Sequence, residues 1–143
     1  MHFKLITPEG VKLTEEIDRL TLMTPDGQMT ILPHHAPLVT VVSPGEAIFV
    51  QSGKETPLMV HGGFCEVQDS GNVVLLADAA EHLHEMDEKM IQEAVTRAEN
   101  LKKDKFNTAD YEEAAMALER ELARRHVLHK YRTKGFRSDK PED

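Results

Sequence analysis

This chain is short of the features that most readily announce a chemistry. It has a single cysteine, Cys65, so no disulfide can form within it. Cys65 lies in the apolar run Phe64-Cys65-Glu66-Val67. It has neither the basic setting nor the helix start that makes a thiolate reactive, so it reads as a small buried residue. No apolar stretch approaches the ~20 residues that a membrane-spanning helix needs. The opening segment reads as a strand rather than as a signal or transit peptide. The expectation is a soluble protein that works where it is made and meets a membrane only through a partner. No glycine-rich phosphate loop of the G-x-x-x-x-G-K-[ST] kind is present, and no Ser, His and Asp set stands out. Positive charge is scarce through most of the chain: residues 1–84 hold 4 Lys/Arg against 11 Asp/Glu, a net of −7. A body this acidic argues against a general nucleic-acid binder.

What is present divides near residue 85. Before it, short apolar runs alternate with turn residues. Phe3-Lys4-Leu5-Ile6 is closed by Thr7-Pro8-Glu9-Gly10, Val11 and Leu13 then alternate with polar residues, and Ile17, Leu20 and Leu22 lead to the turn Thr24-Pro25-Asp26-Gly27. There Pro presets φ and Gly supplies a positive one. Met29 to Leu32, Leu38 to Val42, Ala47 to Val50, Leu58 to Val60, Phe64 to Val67 and Val73 to Ala77 follow, each bounded by Pro, Gly, Ser, Asn or Asp. Strands this short and regularly spaced predict a sandwich or barrel. From Met86 the period changes. Met86, Met90, Ile91, Ala94, Val95, Ala98 and Leu101 recur at steps of three and four, which predicts one apolar stripe on a helix over about 86–103. Asn107-Thr108 offers a cap for a second helix over about 108–131, whose stripe is Tyr111, Ala114, Ala115, Leu118 and Leu122. The alanines permit close approach, as in an antiparallel hairpin. Residues 138–143 read as disordered. The expected division is a β domain over 1–84 and a helical hairpin over 85–143.

The helical part carries the one dense basic cluster. Residues 120–140 hold 8 Lys/Arg against 2 Asp/Glu, a net of +6. This favours an acidic partner for the tail, against the plainer reading of a solvated helix face. Carboxylates are abundant but fall on helix surfaces with no cleft implied, so they read as solvating groups. His82, His84 and Glu88 spell H-x-H-x-x-x-E after a run of strands. Cupins, a family of β-sandwich metal enzymes, carry a similar run, and two imidazoles with a carboxylate can hold Fe, Mn or Zn. The flanking glycines of that motif are replaced by Leu76 and Val95. A metalloenzyme at these residues is the alternative reading. His126 and His129 lack a third ligand, as do His34 and His35, and His61 beside Gly62-Gly63 reads as structural.

Three blocks read together point to one family. They are Gly27-Gln28-Met29-Thr30-Ile31-Leu32-Pro33-His34-His35-Ala36-Pro37-Leu38, Val60-His61-Gly62-Gly63-Phe64-Cys65-Glu66-Val67 and Val74-Leu75-Leu76-Ala77-Asp78-Ala79-Ala80-Glu81. Their order and spacing resemble the epsilon subunit of bacterial and chloroplast F-type ATP synthases. The likeness extends into the helical tail at Asp110-Tyr111. It implies a ten-stranded antiparallel β-sandwich followed by a two-helix antiparallel hairpin, with no catalytic residue, no metal and no cofactor.

The resemblance also implies partners. The β domain would grip the stalk subunit gamma near Pro33, Leu38, Gly62 and Gly63, and rest on the ring of c subunits at Gln28 and His35. Many relatives carry a carboxylate where Gln28 stands. The hairpin would fold on the sandwich or extend along gamma. Extended, it would bring Arg120, Arg124, Arg125, Lys130, Arg132 and Lys134 to an acidic loop of the catalytic beta subunits and inhibit ATP hydrolysis. The planar fork of arginine suits carboxylates. Nucleic acid has no place in this reading. The implied location is the cytoplasmic face of the bacterial inner membrane, reached through the complex, or else the stromal side of the thylakoid. Some members bind ATP through I/L-D-x-x-R-A. Here the run is Met86-Asp87-Glu88-Lys89-Met90-Ile91, so Asp87 matches while Met90 and Ile91 replace the arginine and alanine. Arg97, Arg120 and Arg124 remain near in sequence, but the motif does not imply ATP as a ligand.

Overall fold

The computed structural model describes residues 1–133, with side chains through Tyr131. Lys134 and the residues read as disordered, 138–143, lie outside it, as does the side chain of Arg132. The described residues form ten strands in two five-stranded sheets, then two helices. The strands are β1 (His2–Thr7), β2 (Gly10–Glu16), β3 (Arg19–Thr24), β4 (Gly27–Ile31), β5 (Leu38–Val42), β6 (Gly45–Gln51), β7 (Lys54–Val60), β8 (Gly63–Val67), β9 (Val73–Ala77) and β10 (Ala80–His82). The chain divides into two compact units, Met1–Glu81 and the part from His82 onward.

The first unit is a sandwich because its strands alternate. In β1, Phe3, Leu5 and Thr7 are buried, while His2, Lys4 and Ile6 are half-buried. The first sheet runs β2-β1-β9-β8-β5 and the second β10-β7-β6-β3-β4. One neighbouring pair, β1 with β9, is parallel. Phe3 of the first sheet meets Phe49 of the second with ring centroids 5.8 Å apart. Leu5, Leu20, Leu22, Ile31, Leu58, Val73 and Leu75 fill the space around them, all nearly inaccessible. Each such side chain contributes about 1.5–3 kcal/mol by leaving water. Cys65 joins this core, where burial, helped by the charge of Glu66, pushes its thiol up to about 12. β7 begins before the apolar run Leu58 to Val60 and takes in Pro57, which faces Ile48 of β6. Proline can enter here because β10, the neighbour on the other side of β7, is only three residues long.

The second unit opens with a 3-10 turn, Leu83–Glu85, in which Glu85 accepts a hydrogen bond from the His82 backbone N–H at 2.6 Å. Helix α1 (Glu88–Asp104) is capped by Asp87, which accepts from the Met90 N–H at 3.1 Å. Helix α2 (Tyr111–Thr133) starts later than the sequence predicts. Asn107 takes a left-handed φ of 63°, and Thr108 donates to the Lys105 carbonyl at 2.6 Å. Both are spent on the turn rather than on the cap. The helices run antiparallel, with Glu88 3.0 Å from His129 and Gln92 3.2 Å from Arg125. At the other end the Lys102 ammonium lies 5.7 Å from the Tyr111 ring.

The single stripe expected on α1 is two faces. Ile91, Val95 and Ala98 are buried, whereas Met90 is 67% and Leu101 45% exposed. At about 100° per residue, Met90 and Leu101 share one line that stands roughly 100° from Ile91. On α2, Ala114 is buried and Leu122 is exposed, while Val127 and Leu128, beyond the expected stripe, are buried.

Candidate functional site

The metal alternative fails on geometry. Among the described residues, no three His, Cys, Asp or Glu side chains gather to hold a metal ion. His82 and His84 stack on each other with centroids 5.3 Å apart, and Glu88 is turned to His129. The spacing H-x-H-x-x-x-E needs a continuous strand to converge, and here a 3-10 turn interrupts it. Asp87, the matching residue of the degraded nucleotide motif, is engaged as the cap of α1. Arg97 is exposed beside Gln92, Glu93 and Thr96, along a shallow depression of about 370 Å³.

The other expected site residues fall in several places. Gln28 is exposed near the start of β4, opposite Met23 of β3. The turn before it is built by Thr24, whose hydroxyl donates to the Gly27 carbonyl at 2.8 Å. His35 follows the far end of that strand, with its Nδ1 2.7 Å from the Ala36 carbonyl oxygen. Gln28 and His35 therefore flank β4 from opposite ends. Pro33 is exposed, but Leu38 packs against the core. Gly62 is buried. A Cβ built on Gly63 would stand 1.9 Å from the Leu76 carbonyl oxygen and 2.9 Å from the Ala77 Cα, so the absent side chain is what lets β8 lie against β9. On α2, Arg124 pairs with Glu121 at 2.8 Å and Arg125 donates to Gln92.

The surface with the most distinctive character lies elsewhere, on the outer face of the first sheet. Val41 of β5 faces Phe64 of β8, Phe64 faces Leu76 of β9, Leu76 faces Ile6 of β1, and Ile6 faces Val11 of β2. This row crosses all five strands in register, a span of about 19 Å at the usual strand spacing. Val11 is 60%, Val41 49%, Phe64 54% and Leu76 48% exposed, and Val39 beside the row reaches 66%. A contiguous exposed apolar row of this kind marks an interaction surface. The outward positions of β3 and β4 in the other sheet include Thr21, Gln28 and Thr30, with the two threonine hydroxyls 3.0 Å apart. Sequence reasoning missed the row, although a signal was present. β5, β8 and β9 carry apolar residues at both odd and even positions, more than one buried face requires.

Comparison with known proteins follows the same lines. The family described as ATP synthase, Delta/Epsilon chain, beta-sandwich domain matches residues 1–83. The ATP synthase epsilon chain of Herpetosiphon aurantiacus is 38% identical over 127 residues, covering 89% of this chain and 93% of the relative. That of Chloroflexus aggregans is 36% identical over 132 residues, covering 91% and 94%. Among solved structures, a chain in the cryo-EM structure of the Euglena gracilis mitochondrial ATP synthase, with OSCP, F1 and c-ring in rotational state 1, superposes with a TM-score of 0.74. It is 26% identical, with coverage of 89% of this chain and 80% of that one.

Proposed function

The chain belongs to the ATP synthase epsilon-chain family, and from that premise we propose that it is a rotor subunit coupling the gamma stalk to the c-ring and restraining ATP hydrolysis through its helices. It is a non-catalytic subunit of the complex. The observation that carries the stalk role is the in-register row Val41-Phe64-Leu76-Ile6-Val11. Four of its five side chains are about half exposed or more. A non-catalytic subunit works by being held, and this face is the apolar surface large enough to be held by. The structure that resembles it was solved in an assembly with F1 and a c-ring, which supports the same placement.

In this reading the sandwich takes gamma on the apolar row, with Pro33, Leu38, Gly62 and Gly63 kept as the contact region the resemblance implies, and meets the c-ring through Gln28 and His35. The hairpin acts by opening. Its polar rungs, Glu88 with His129 and Gln92 with Arg125, are exposed, and such contacts contribute about 0–1 kcal/mol each. The buried set of the two helices is small: Ile91, Val95 and Ala98 of α1 with Ala114, Val127 and Leu128 of α2. A hairpin joined this lightly can exchange its partner for gamma. It would then present Arg120, Arg124, Arg125, Lys130 and Arg132 to carboxylates of the beta subunits. Among the described residues no helix is long and apolar enough to cross a membrane. By family membership, membrane association would run through the complex, on the cytoplasmic face of a bacterial inner membrane.

The test is Phe64→Asp in the full chain. Phe64 is 54% exposed, so the fold should persist while a charge enters the centre of the row. Co-purification with gamma should be lost. Retained binding by the folded variant would overturn the assignment of this face.

A further inference from the structure

The apolar row does not stop at a protected margin. The sheets of the described residues end at β2 and β5, and at β4 and the short β10 beside β7. Proteins guard such edges with charges, bulges, proline or brevity, because unpaired backbone groups invite another strand. β2 carries Lys12, Glu15 and Glu16, and its pairing with β1 shifts register between Leu5 and Ile6. β10 has three residues. β4 has no charge and no proline, but the side chains it turns outward, Gln28 and Thr30, are polar. β5 has none of these guards. Its five residues, Leu38-Val39-Thr40-Val41-Val42, hold no charge and no proline, and they pair with β8 in unbroken register. Val39, at 66%, is more exposed than any residue of the row it adjoins.

We propose that β5 is an acceptor edge, and that a β-strand of gamma adds to the first sheet beside it. This rests on the reading that gamma docks on the apolar face. An added strand would place its own outward side chains next to Val39 and Val41, lengthening the row by one member. Those side chains must be apolar to match. The acceptor length is fixed by the chain itself. Pro37 precedes β5, and at its other end the Ser43 N–H is already given to the Met23 carbonyl at 2.9 Å. The incoming strand is therefore about five residues long. Backbone pairing gives such a contact its affinity, and alternate side chains give its specificity.

Amide hydrogen exchange on the full chain, alone and bound to gamma, tests this. Alternate amides within Leu38–Val42 point away from β8 and exchange readily in the free chain. Strand addition should slow them at least about a hundredfold. If gamma binds and these amides exchange as before, docking is by side chains alone: strand addition is wrong and the stalk reading stands. If gamma does not bind, both fall. If the free chain protects the same amides in proportion to its concentration, the edge serves a second copy of the chain, and the proposal is overturned.

Discussion

The close approach of β8 to β9 can be tested by giving Gly63 a side chain. Gly63 has a φ of 144°, and Gly10, at the start of β2, has a φ of 121°. Both conformations disfavour an L-residue, at a cost of about 1–3 kcal/mol. The two sites differ in space. An added Cβ at Gly10 meets nothing within 4 Å, whereas at Gly63 it stands 1.9 Å from the Leu76 oxygen. Ordinary contact begins at 3.4 Å, so the strands must separate by about 1.5 Å. That separation loosens the ladder at Gly63–Ala77 and strains Phe64–Leu76. Overpacking costs about 1–3 kcal/mol, and one weakened backbone hydrogen bond about 1 kcal/mol more. Gly63→Ala should thus be destabilised by roughly 2–4 kcal/mol beyond Gly10→Ala. For a unit of this size that is a further drop in Tm of roughly 10–30 °C. Thermal melts followed by the β-sheet circular dichroism signal measure it. If Gly63→Ala melts within about 3 °C of Gly10→Ala, strand contact at that glycine is not what the geometry says. A folded but loosened Gly63→Ala should also bind gamma less well, since Phe64 and Leu76 are the centre of the row.

Three further outcomes are expected. Leu76→Ala should weaken gamma binding without unfolding the chain, by about 1–2 kcal/mol, or roughly five- to thirtyfold in Kd by titration; unchanged affinity would remove Leu76 from the interface. Replacing Arg120, Arg124 and Arg125 together with alanine should raise ATP hydrolysis by the assembled enzyme with the subunit still bound, and unchanged activity would assign these arginines to solvation. Cys65 should resist alkylation at pH 8 until the chain unfolds. Its folded thiol titrates near 12 against an ordinary 9.0. Because the folded value is the raised one, stability is intact below 9 and falls as pH climbs toward 12, by up to about 1.4 kcal/mol per pH unit. Denaturant curves across that window should show the fall, and Cys65→Ala should lessen it.

Most of the fold was legible because strands and turns leave local marks. Alternation located nine strands, and Thr24-Pro25-Asp26-Gly27 located a hairpin turn. β10 left no mark, since three residues carry too little pattern to register. The helices were legible as helices, but not the faces they bury. Periodicity says which residues share a line. Which line is covered depends on what the fold brings against it, so Met90 and Leu101 were read as core and are exposed.

The candidate site was less legible for a related reason. An apolar residue next to a buried one looks like more core, and Val41, Phe64 and Leu76 each sit beside one: Val42, Cys65 and Leu75. Only the register makes them a row, because Val41, Phe64 and Leu76 come from three strands separated in sequence. The glycine pair was visible at once, but its meaning was not local either. Gly63 is required by the backbone of β9, and its effect on any partner is indirect, through the level at which it holds Phe64 against Leu76. A sandwich needs one apolar face per strand to fold. Where a strand such as β9 shows two, the second is surplus to folding, and in a chain with no metal-holding cluster among its described residues that surplus points to what the protein binds.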